Sequence, residues 1–101
     1  AVASAERLKG APDIPTLKES GYDVDWNMLR GIMAPGEIKP EEQKALAEYI
    51  RKITESETWK KDYIEANLLT PKYLGPEEYT QFLKDKEADY KAILQGLGAL
   101  K

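Results

Sequence analysis

The residues of this chain best suited to chemistry lie between positions 19 and 30: Glu19, Asp23, Asp25, Trp26, Asn27 and Arg30. Carboxylates that converge at a fixed separation hold cations or share acid–base work. Asp23 and Asp25 would share one face of an extended segment, with Glu19 nearby. The spacing lacks the glycine of a calcium loop, so a solvated loop is the plainer reading. Trp26 and Asn27 offer an indole and an amide, the mixture that lines small-molecule pockets. Equally, the indole packs on the body of the fold and the amide belongs to a turn. Arg30 stands inside an apolar run, and a guanidinium fork matches a carboxylate. The alternative is an ion pair with Asp25 or a solvent-facing edge. Trp26, Asn27 and Arg30 are the candidate ligand-binding residues.

The composition narrows the chemistry further. The 101 residues contain no histidine and no cysteine. That removes the commonest general base, the thiol nucleophile and the usual zinc ligands. No nucleophile–base constellation is visible, so no enzyme activity, metal site or cofactor is expected. The net charge is -3, from 15 basic and 18 acidic residues. Both signs are interspersed, which gives no basic footprint for nucleic acid or anionic membrane. No apolar run approaches the roughly 20 residues of a membrane span. Residues 1–5 lack the charged and apolar regions of an export signal.

Several elements must position the candidates. Thr16 is placed to cap a short helical turn, with Glu19 as the reciprocal partner and Gly21 as a left-handed stop. Residues 22–27 alternate weakly, as an extended segment does. Residues 28–34 are almost continuously apolar and end at Pro35-Gly36, so they read as a buried strand with Gly31 at a close approach or bulge. Pro40 opens a helix whose Leu46, Tyr49, Ile50 and Ile53 share a face. Ser56 is the expected cap of a second helix carrying Trp59, Tyr63 and Ala66, stopped near Asn67. Residues 68–73 contain Pro71 and suit an edge strand or extended linker. Gly75-Pro76 opens a third helix with Tyr79, Phe82, Leu83, Tyr90, Ile93, Leu94 and Leu97 in one stripe, ending at Gly96 and Gly98. Aromatic residues at this spacing read as packing, because nucleic-acid stacking platforms need a basic groove.

Two motifs, "PDIPTLKESGY" at residues 12–22 and "LRGIMAP" at residues 29–35, appear in the order just described. With Pro76-Glu77-Glu78 starting the last helix, this chain resembles the C-terminal part of the periplasmic solute receptors of tripartite tricarboxylate transporters, the Bug receptor family. Lys39 stands where such receptors carry a small cap, which leaves that helix start poorly capped. The resemblance implies an α/β, helix-rich fold: a partial lobe of a type II periplasmic-binding-protein fold. Residues 1–101 would be the C-terminal segment of a two-lobed protein and would complete its first lobe. The intact receptor would bind a small organic carboxylate in the periplasm and deliver it to membrane transporter subunits. Most ligand-holding loops would lie upstream, and a missing upstream region would account for the absent export signal. A lobe without its other strands exposes a sheet edge, so self-association of the fragment is expected. The second reading is a self-contained helical interaction module without a ligand, docking through one apolar stripe.

Overall fold

Thr16 and Glu19 organise the first part of the chain. In the computed structural model, which describes residues 1–100, the Glu19 N–H donates to Thr16 Oγ1 at 3.1 Å and the Thr16 N–H donates to Glu19 Oε2 at 2.8 Å. This is the expected capping box, although the turn does not grow into a helix. Gly21 ends it with φ of 93°. The Tyr22 N–H bonds the Leu17 carbonyl at 2.9 Å and the Gly21 N–H bonds that of Lys18 at 3.1 Å, a Schellman stop. Arg7 clasps the same carboxylate from the far side, its Nε 3.0 Å from both Glu19 oxygens. Arg7 Nη1 also donates to the Pro12 carbonyl at 2.9 Å. Val2 bridges Thr16 in parallel, with N–H···O bonds of 2.9 and 2.8 Å on either side.

The helices follow from their capping residues and apolar spacing. α1 spans Pro40–Glu55. Its start is better capped than Lys39 suggested, because the Glu42 carboxylate accepts the Lys39 N–H at 2.9 Å. Ser56 Oγ accepts the Trp59 N–H at 3.2 Å, the expected cap. The helix that follows is π-helical over Trp59–Glu65. Its wide turns show in the Ala66 N–H reaching the Lys61 carbonyl at 3.3 Å. The stop falls at Leu68, with φ of 52°, rather than at Asn67. α2 spans Pro76–Gly96. Gly98, with φ of 69°, supplies the left-handed residue of its C-terminal stop.

The sheet is where expectation and structure part. Among the described residues there is no β-ladder; the Val2–Thr16 bridge stands alone. Residues 22–27, 28–34 and 68–73 form no strand. A strand is a paired object, and apolar patterning supplies no partner for its backbone. Residues 26–31 instead lie against α2. The Trp26 and Tyr90 rings meet edge to face, centroids 5.1 Å apart. Farther on, Gly31 lies directly against the Tyr79 ring, with no room for a Cβ. Helical rise from Tyr90 back to Tyr79 covers about 16 Å. Residues 26–31 span about the same length when nearly extended. The segment therefore runs antiparallel to α2 and touches it at these two points. The close approach expected at Gly31 is real, but its neighbour is a helix side chain.

α1 packs on the π-helical segment. Tyr73 adds a hydroxyl bond to the Ala47 carbonyl at 3.3 Å. No apolar side chain among the described residues is fully buried, and Thr16, 2% exposed, is the buried polar residue. The accessible surface is 8419 Å², whereas a globular chain of this length exposes roughly 5,800 Å². The radius of gyration is 16.8 Å, against about 13 Å for a compact domain. The expected apolar stripes exist, but much of their surface faces outward.

Two predictions follow from these contacts. The Arg7 guanidinium, then the Thr16 N–H, hold the Glu19 carboxyl down at about 2 from an ordinary 4.5. A depressed carboxylate stabilises the fold above the unfolded pKa, and that contribution fades as pH falls from 4.5 through 2. A carbon-detected NMR titration should place the Glu19 midpoint near the low value, and Arg7→Gln should move it upward. Separately, Gly31→Ala should cost about 1–3 kcal/mol by overpacking against Tyr79. Adding Tyr79→Ala should remove most of that penalty, as urea titrations of the two singles and the double would show.

Candidate functional site

Trp26, Asn27 and Arg30 sit on the extended segment, and each is held differently. Trp26 is half-buried. Its N–H donates to the Ala3 carbonyl at 2.8 Å, tying the segment to the N-terminal turn. One ring edge meets Tyr90, and Lys86 Nζ stands 4.2 Å from the Trp26 ring centroid. The same ammonium pairs with Asp89 at 3.2 Å. Cation, indole and phenol therefore form one stack on α2. Asn27 Nδ2 donates to Asp25 Oδ1 at 3.1 Å, a local turn contact in solvent.

Arg30 turns toward the π-helical segment. Its Nη1 donates to the Tyr63 hydroxyl at 2.7 Å. The guanidinium carbon lies 5.8 Å from the Tyr63 ring centroid, and Tyr63 itself packs on Trp59 with centroids 4.4 Å apart. The expected pairing with Asp25 does not form among the described residues, where a phenol replaces the carboxylate. Arg30 is solvent-exposed, but on a segment that forms no strand and so has no sheet edge.

The acidic cluster does not converge. Glu19 is taken by Arg7 and Asp25 by Asn27. Among the described residues no group of three or more acidic side chains is placed to hold a metal ion. The three ligand candidates do not converge either: Trp26 belongs to α2, Arg30 to the π-helical segment. Shallow grooves lie elsewhere among the described residues. One, of about 250 Å³, lies between Arg51, Trp59 and Tyr73. Another, of about 640 Å³, is lined by Ile64, Leu68 and Leu69 together with Lys9 and Lys60. Neither is lined by Trp26, Asn27 or Arg30.

Two contributors were missed in the sequence. Lys86 carried a readable signal, since it stands four residues from both Phe82 and Tyr90 and so interrupts the aromatic stripe with a cation. Tyr63 as the partner of Arg30 carried none, because their meeting depends on how a distant segment folds back.

No family model matches this chain. No solved structure matches it. Among curated proteins it is similar to the "UPF0065 protein in gbd 5'region" of Cupriavidus necator, 27% identical over 90 residues. UPF0065 is a family name for Bug-receptor-like proteins, so the similarity is distant and points to that receptor family. The aligned part is 89% of this chain and 27% of the relative, so the chain spans about a quarter of that protein's length.

Because Trp26 and Arg30 are anchored on separate elements, their energetic effects should be independent. Trp26→Ala and Arg30→Ala should add within about 0.5 kcal/mol in the double variant. A coupling well above that, measured by denaturant titration, would mean that they act as one site.

Proposed function

We propose that this chain is the C-terminal segment of a periplasmic solute receptor of the tripartite tricarboxylate transporter type. In this reading it completes the first lobe of a type II periplasmic-binding-protein fold. The intact receptor captures a small organic carboxylate between its lobes and delivers it to membrane transporter subunits. The observation that carries the reading is the similarity to a UPF0065 protein, 27% identical over 90 residues, about a quarter of that protein's length. The missing core supports it, since an uncovered apolar surface of this size marks a surface made to be covered. Lobe closure works because a ligand makes more contacts in the closed state than in the open one. Of the three candidates, Arg30 suits a carboxylate best, by fork geometry. Asn27 would add an amide donor, and Trp26 would form a wall.

One observation favours the second reading, a self-contained helical interaction module. Residues 28–34, the strand a receptor lobe requires, form no ladder among the described residues. The two readings separate on the product of the complete reading frame. If the receptor reading holds, that product carries a second lobe, and calorimetry detects binding of at least one member of a panel of mono-, di- and tricarboxylates. A frame confined to these residues, or no binding across the panel, overturns it.

A further inference from the structure

Among the helical ion pairs of the described residues, Lys86 is the most enclosed lysine. Its side chain is 23% exposed, against 50% for Lys60 and 59% for Lys91. Three groups surround its ammonium. The Trp26 ring centroid lies 4.2 Å away, the Phe82 centroid 5.9 Å away, and Asp89 Oδ2 accepts a hydrogen bond at 3.2 Å. Each ring is backed by another. Trp26 meets Tyr90 edge to face, and Phe82 stacks on Tyr79 with centroids 6.2 Å apart. The backbone N–H of Trp26 is also tied to the Ala3 carbonyl, so the corner joins two distant parts of the chain. Two aromatic rings beside a carboxylate are suited to an organic ammonium ion. The ring quadrupoles attract its charge, and its carbon atoms gain apolar contact.

We propose that Trp26, Phe82 and Asp89 form a binding corner for an organic ammonium ion, and that Lys86 fills it as a tethered ligand. In filling it, Lys86 latches the extended segment to α2. The lysine reaches the corner from within the same helix, with Phe82 four residues before it and Asp89 three residues after. A group tethered so closely acts at a high effective concentration. A free ammonium ion therefore enters the native corner only in competition with Lys86. Removing the lysine side chain leaves the rings and the carboxylate free to take one. The inference rests on contacts within this chain and not on the receptor reading.

NMR of the 101-residue chain tests this, because the Trp26 indole N–H and the Lys86 ε-protons each give their own signal. In the native sequence the Lys86 ε-protons should stand upfield of those of the other lysines, shifted by the Trp26 ring. Lys86→Ala should move the Trp26 indole signal while the helical circular dichroism stays unchanged. Tetramethylammonium chloride should then return that signal toward its native position in a saturable titration. The neutral near-isostere tert-butanol should not, nor should sodium chloride at equal ionic strength. The native chain should need several-fold more tetramethylammonium, and adding Asp89→Asn to Lys86→Ala should weaken binding several-fold. Lys86 ε-protons at the ordinary lysine position overturn the inference, whatever the variant does. So does a folded Lys86→Ala chain that binds no tetramethylammonium, or one that responds equally to tert-butanol or sodium chloride. So too does a native chain that binds the ion as tightly as the variant, or binding undiminished by Asp89→Asn.

Discussion

The seam between residues 26–31 and α2 holds this structure together. α1 has the π-helical segment to pack on, but α2 has no comparable helix partner. What ties α2 to the rest is an indole against a phenol at one end and a glycine beneath a phenol at the other. Trp26 extends the link through its N–H to Ala3, and Arg30 extends it to Tyr63. One stretch of irregular chain therefore contacts the N-terminal turn, the π-helical segment and α2. Its conformation is fixed by side chains rather than by a ladder. That is a weak way to hold a backbone, since exposed side-chain pairs stabilise by about 1 kcal/mol or less each.

Features governed by neighbours in sequence were legible. The Thr16–Glu19 box, the left-handed Gly21 and Gly98, the Ser56 cap and the prolines opening α1 and α2 all stand where residue type and spacing put them. The Gly31 close approach was legible as well, though not what approaches it. The strand expected at residues 28–34 does not form among the described residues, because a strand needs a paired partner that apolar patterning does not provide. Trp26 and Arg30 look like one site when written four positions apart. In an extended chain that spacing separates them by about 13 Å, enough to anchor them on different elements.

The electrostatics follow the same division. The pairs Arg51–Glu48, Arg51–Glu55, Lys60–Glu57, Lys86–Asp89 and Lys91–Glu87 are all three or four residues apart on helical turns. They are exposed or nearly so, and such pairs add little stability. Arg7 with Glu19 is different, joining distant positions and sharing its carboxylate with a turn. Local charge pairing steadies each helix, while this one pair fixes the path of the N-terminal loop.

The molecule measures 46 by 41 by 16 Å, so it is a slab little thicker than one helix with its side chains. In a slab of that depth hardly any atom lies far from solvent. Unfolding such a layer exposes little new apolar surface, so its heat-capacity change and its denaturant sensitivity are both low for its length. Melting should accordingly be broad and shallow. It should sharpen where a second layer covers the flat face, because added buried apolar surface raises the cooperativity of unfolding.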